Sequence, residues 1–335
     1  MKRIPFLIFF FFAAGILSAQ SLNISGFAQT WFSLAQQHRK ENSALGFNLK
    51  RVKINTFGNL TSNIEWRIQF IWSKQNPKLH DVYLYFDLAD EFKIKAGQFP
   101  VPGSPSGALV SASRLDFVER AMFIQKWGKY SGLSSYRTLG LQIDGNLMWG
   151  NLYYALMAAN PDAEEMFQPG VGSDTYRGDN TLLFSGRLEF KPFSGLRVGG
   201  FYLYGNDTSD SEVNESYGAH LFYIHSLFFL KGEYIEGTSE WSPYGAPNEY
   251  EGYMVKAGYK YNRIQPVFRY DYYRERGGFG LLYVADYKNT TVGINYFYDE
   301  NIKIQANYVF RDELVVNGFG KIDNNIFYVN LQYRF

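Results

Sequence analysis

From Ile326 to Phe335 the chain alternates without a break. Phe327, Val329, Leu331, Tyr333 and Phe335 fall on one face, and Tyr328, Asn330, Gln332 and Arg334 on the other. A period of two is a strand with one greasy and one polar side. In an open sheet, a last strand of this kind is an exposed or frayed edge. A closed barrel pairs it with the first strand and removes the edge. The remainder of the chain should then repeat the same unit.

About sixteen such strands can be read. The clearest is Asn63 to Ser73, which sets Ile64, Trp66, Ile68, Phe70 and Trp72 against Glu65, Arg67 and Gln69. Leu22 to Gln37, Gly46 to Gly58, Leu79 to Asp87 and Phe92 to Phe99 are others, before a break over roughly residues 100–136. The rest run from Arg137 to the end. Turns after the even strands are short, and breaks after the odd ones are longer, except after the third. A bacterial barrel with both termini in the periplasm predicts that asymmetry; a sandwich or propeller gives no reason for it. Strands of about ten residues suit a tilted crossing of a bilayer core about 30 Å thick. The fold class is therefore all-β, a transmembrane antiparallel β-barrel of about sixteen strands.

Composition agrees. Aromatic residues make up 19% of the chain, with 27 Tyr and 30 Phe, which suits girdles at two membrane interfaces. A mean hydropathy of -0.26 argues against a helical membrane protein, because half of each barrel strand is polar. Net charge is +1, so the balance proposes no nucleic-acid partner. The absence of Cys excludes disulfides and thiolate chemistry. Lys2 and Arg3, the apolar run Ile4 to Ile16 and Leu17-Ser18-Ala19 form a signal peptide pattern. We expect residues 1–19 to be a cleaved leader and 20–335 a single barrel domain in the outer membrane, in contact with lipid and lipopolysaccharide. A C-terminal strand ending on an aromatic residue resembles the assembly signal of such barrels.

In lipid every outward side chain must be apolar, so the polar faces line a lumen that at this size is water-filled. Alternation places Arg51, Lys53, Arg67, Lys93, Lys95, Arg187, Lys191, Arg197, Lys231, Lys256, Lys260, Arg269, Lys303, Arg311 and Arg334 inward. The inward acids are fewer: Glu65, Asp81, Asp87, Asp144, Glu189, Glu233 and Asp271. Rings of Arg and Lys are how a pore favours anions; the alternative is that these groups pair with one another and merely satisfy the wall. The break over 100–136 has no regular structure by pattern, and so long a loop in a compact barrel calls for a function. Folded back as the third external loop, it would narrow the pore. Pro100 to Gly107 stiffen its early half, and Arg114, Asp116, Glu119, Arg120, Lys126 and Lys129 charge its later half. An external lid with solvated charges is the plainer reading.

Leu79-His80-Asp81-Val82-Tyr83-Leu84-Tyr85, followed by Ala96-Gly97-Gln98-Phe99-Pro100-Val101-Pro102, resembles the porin O and P family of phosphate-selective porins. Leu115-Asp116-Phe117-Val118-Glu119-Arg120 and then Leu139-Gly140-Leu141 fit the same pattern in order and spacing. The resemblance is strongest from about Arg51 to Gly145. It implies a 16-stranded homotrimeric barrel whose third loop forms a constriction selective for small anions, phosphate among them. Within that loop, the Glu119-Arg120 pair can serve as an anchor to the wall.

Other chemistry has no support. The four His (His38, His80, His220, His225) are scattered, and His220 and His225 fall on opposite faces of one strand, so no metal site is indicated. No nucleophile elbow, phosphate loop or dinucleotide pattern occurs, and no cofactor is called for. The acidic cluster from Asp207 to Glu215 reads as a solvated external loop. Passive diffusion of small anions is the expected function. The alternatives are an outer-membrane enzyme, which needs a nucleophile, base and orienter, and a structural or adhesive barrel with a plugged lumen.

Overall fold

The computed structural model describes residues 21–36, 44–73, 76–130, 137–160, 182–206, 213–239, 248–277, 283–316, 320–322 and 324–335. The expected leader and most of the acidic cluster at 207–215 lie outside these. The strands are β1 (Asn23–Ala35), β2 (Ala44–Thr61), β3 (Ile64–Ser73), β4 (Asn76–Ala89), β5 (Phe92–Pro100) and β6 (Arg137–Leu147). β7 (Leu152–Ala159), β8 (Leu183–Phe190), β9 (Leu196–Asn206), β10 (Val213–Ile224), β11 (Phe228–Ser239) and β12 (Asn248–Tyr259) follow. β13 (Ile264–Gly277), β14 (Tyr283–Phe297), β15 (Ile302–Val316), β16 (Gly320–Ile322) and β17 (Ile326–Arg334) end the chain.

All pair antiparallel, each with its neighbour in sequence, and β1 pairs with β17 from Phe27–Arg334 to Ala35–Ile326. Gly26 and Phe335 add reciprocal backbone hydrogen bonds of 2.8 and 3.1 Å. The three-residue β16 merely forms a short ribbon on β15. The result is a closed ring of sixteen strands with no edge, so every ladder group is satisfied internally.

Polarity across this wall is inside out. Leu141 is 49% exposed while its neighbour Gln142 is 4% exposed. Leu156, Leu188, Leu230, Phe268, Ile294 and Leu331 cover the outside, and Gln29, Glu189, Glu233, Asn289, Gln305 and Asn330 are buried within. Water would not select such a surface; hydrocarbon does. Toward the long-loop end, Tyr202 and Tyr217 are register partners on β9 and β10, and Tyr234, Tyr253 and Tyr272 are register partners on β11 to β13, all outward rings. Beyond the latter three, and level with Tyr217, lie the charges Glu236, Glu251 and Arg274, where headgroups replace acyl chains. Among the described residues no helix is long and apolar enough to cross a membrane.

Of four register shifts among the described strands, two lie away from the short turns and re-phase the alternation. Gln29 faces Arg51 while Thr30 faces Leu49, so Lys50 is the extra residue. Gln69 faces Asp81 while Phe70 faces Leu79, leaving His80 extra. At Gly97 φ is +131°, and a Cβ there would lie 2.2 Å from the Val82 carbonyl oxygen; only glycine fits that close approach of β4 to β5.

The long break after β5 is not devoid of regular structure, contrary to the pattern reading. It carries a 3-10 turn, Ala112–Arg114, and a helix, α1 (Met122–Tyr130). A nine-residue helix is marginal alone. This one is held from outside, because the Met122 N–H donates to the Asp271 carboxylate of β13.

Candidate functional site

Residues 101–126 are bound to polar-face side chains of many strands. Gln29 donates to the Ala112 carbonyl (3.2 Å), Gln332 to Ser113 (3.0 Å), Lys303 to Leu115 (2.9 Å), Asn295 to Asp116 (2.8 Å) and Arg269 to Glu119 (2.8 Å). In return the Asn307 side-chain oxygen accepts from the Val118 N–H (2.7 Å). Asp116 bridges Lys231 (3.0 Å) and Lys256 (3.2 Å), and Ser104 donates to the buried carboxylate of Glu233. Apolar packing runs beside these bonds. Phe123 and Ile124 are fully buried among Ile235, Met254, Tyr273 and Tyr287, and Phe117 packs with Phe229 and Val267. Burying the first two side chains alone stabilises by roughly 1.5–3 kcal/mol each. Most of the partners therefore lie on β1, β11 to β15 and β17, with Lys50 of β2 (to Glu119) and Ser185 of β8 (to the Pro102 carbonyl, 2.9 Å) as exceptions.

The opposite arc, β2 to β8, keeps open space. A cavity of about 250 Å³ is bounded on the wall side by Lys53, Arg67, Lys95, Arg137, Arg187 and Asp81, and on the loop side by Pro102, Ala108 and Leu109, next to Pro100 at the end of β5. Asp81 is committed to Arg137 at 2.5 Å, and Arg187 to Glu189 at 2.6 Å. Lys53, Arg67 and Lys95 have no carboxylate within ion-pair distance among the described residues. Lys95 sits instead among rings, 5.0 to 5.3 Å from the centroids of Tyr83, Tyr85 and Phe99. Arg67 lies over Phe57 (5.6 Å) and Tyr83 (5.7 Å). Ring faces attract a cation without neutralising it, so these charges stay available to a mobile anion. Chemically the site can attract anions. Among the described residues no cluster of three His, Asp or Glu could hold a metal.

A family model described as phosphate-selective porin O and P matches residues 25–196, 172 of the 335 residues. The chain belongs to this family. No curated protein sequence matches it. Solved porin structures share the fold at low identity. An anion-selective porin from Comamonas acidovorans is 12% identical with a TM-score of 0.68, covering 94% of this chain and 99% of that one. OmpF of Salmonella typhi, in complex with daunomycin, is 13% identical with a TM-score of 0.68, covering 95% and 99%. OmpT of Vibrio cholerae, in a trimer form, is 11% identical with a TM-score of 0.67, covering 94% and 99%. Family and barrel make this an outer-membrane protein of the channel type.

Within this porin the expected pore cations divide into three groups. Lys53, Arg67, Lys95 and Arg187 meet at the cavity, with Arg51 inward beside Lys53 on β2. Arg269 is drawn to the loop, and Lys93 pairs with Asp87 (2.8 Å) near a short turn. Arg197 lines a separate hollow with Lys191 and Phe193 at the short-turn end. Of the loop cations, Arg114 is exposed, and Lys126 rests over the Tyr287 ring at 4.1 Å. Arg120 donates to the Ser106 and Val110 carbonyls (2.8 and 2.6 Å), which staples the loop's two arms together. Burial, then Arg51 and Arg137, lower Arg120 to about 10, so it stays charged at neutral pH. Lys129 lies on α1, and its side chain is outside the described set.

The pattern reading overlooked Lys50, Arg137 and the amide row. Lys50 bonds Glu119 at 3.0 Å and lies 4.2 Å from the Trp31 ring centroid; the bulge that turns it inward leaves no mark in sequence. Arg137 opens β6 in phase with the outward Leu139 and Leu141, so alternation hides its turn inward to Asp81 on the polar face. Gln29, Asn295, Gln305, Asn307 and Gln332 also fall on polar faces, and a loop with unpaired carbonyls needs such donors.

Proposed function

We propose that this porin passes small anions by diffusion through an off-axis pore. In this reading residues 101–130 lie in the lumen against the β11 to β17 side, and the path runs along β2 to β5. The observation that carries it is the set of unpaired cations, Lys53, Arg67 and Lys95, around a cavity whose acid, Asp81, is already engaged. Fixed positive charge of that kind raises local anion concentration and repels cations. The anion-selective porin from Comamonas acidovorans, with the same fold, is in keeping with this, and the family description adds phosphate as a candidate solute. Export by the 1–19 leader, contact with lipopolysaccharide and association as a homotrimer complete the proposal.

The test is the zero-current potential in a KCl gradient across a planar bilayer. The intact channel should prefer chloride. Each of Lys53→Gln, Arg67→Gln and Lys95→Gln removes an attraction of ~1 kcal/mol at 4 Å in water, about a fivefold fall in the anion-to-cation ratio. A ratio unmoved by all three would overturn the assignment. A bilayer that stays silent would favour the plugged structural barrel.

A further inference from the structure

The two sides of the cavity differ in chemistry as well as charge. The wall supplies cations, while the loop, with Pro100 at the end of β5, supplies Pro102, Ala108 and Leu109, and none of these four has a side-chain donor. The hydroxyl on that side, Ser111, lies 3.1 Å from Ser113. The wall also brings the rings of Tyr83, Phe99 and Tyr153 to the cavity. A phosphate carries acceptor oxygens in every direction, so one side of its shell would be stripped of water against carbons and left unpaired, which is costly. A monocyclic aryl carboxylate has its oxygens at one end and apolar edges elsewhere. Its carboxylate can meet Lys95 or Arg67 while its ring stacks offset on Tyr83 and slides past the proline lip. A cavity of about 250 Å³ falls just below the roughly 300–1,000 Å³ of sites for drug-sized ligands, a size for one ring rather than two.

We propose that the solute class favoured by this pore is small aryl carboxylates, over compact anions such as phosphate or acetate. This rests on the anion-channel reading above. The experiment is block of KCl current through the full-length protein in planar bilayers by benzoate, acetate and phosphate. Benzoate should half-block at a concentration about tenfold below acetate, the ratio one good aromatic contact supplies. Leu109→Gln, at a partly exposed loop position, should bring benzoate and acetate within about twofold. Tyr83→Leu, which keeps an apolar side chain but removes the aromatic face, should do so as well. Equal block by benzoate and acetate, or stronger block by phosphate, overturns the aryl preference while the chloride-directed zero-current potential keeps the channel reading. A cation-directed potential removes both.

Discussion

Asp116 ties the long loop to the barrel through two ammonium groups at 3.0 and 3.2 Å. Burial alone would raise its carboxyl, but Lys256 and Lys231 outweigh burial and hold it below the ordinary carboxylate range. A depressed value means that the anchoring is fully present above the ordinary value, about pH 4, and is lost as pH falls through the lower one. Open-channel current noise should therefore be flat from pH 8 to about pH 4 and rise below it. Asp116→Asn should bring the acid behaviour to neutral pH, because breaking a buried pair by removing one partner costs roughly 3–5 kcal/mol. Trypsin cleavage within residues 101–136 of the intact barrel is a second readout. Wild-type resistance in the variant would mean that the other loop bonds suffice.

The loop's helix shows the same dependence on the wall. Phe123 seats where β12 has Gly252, and a Cβ there would lie 2.6 Å from the Phe123 Cβ. Gly252→Val should unseat α1 while the sixteen-strand ladder remains. The expected outcome is higher conductance with unchanged heat-modifiable gel mobility; unchanged conductance would show that α1 sets no constriction. The strands themselves were legible in sequence because alternation is local: a lipid face and a water face are written residue by residue. The helix was not, since its N-terminal partner is Asp271, 149 residues away. Nor were the roles of the cations. Lys231 and Lys95 look alike by alternation, yet one meets Asp116 and the other meets rings. Which arc of wall the loop covers decides the difference, and that is tertiary information. A bulge adds a local failure, since Lys50 reads as outward until the register shifts.

At the scale of the whole molecule, the ring is closed by backbone hydrogen bonds that owe nothing to the loop, so the loop can be removed without opening the barrel. Lys231, Lys256 and Lys303 would lose their loop partners but gain water, and hydrated ammonium groups carry no burial penalty. Selectivity should then depend on salt in a way that the intact channel's does not. Fixed charge acts over about 30 Å at 0.01 M salt but only about 3 Å at 1 M. On the path proposed for the intact protein, an anion at the cavity passes within contact of Lys53, Arg67 or Lys95, inside even the shorter range. With residues 103–130 replaced by a short Gly–Ser linker, an ion can cross beyond that range. The excised channel should conduct several-fold more, keep its chloride preference at 0.01 M KCl and lose most of it at 1 M. The intact channel should keep its preference at both. If the two proteins share one salt dependence, the loop does not press the path against the cationic wall.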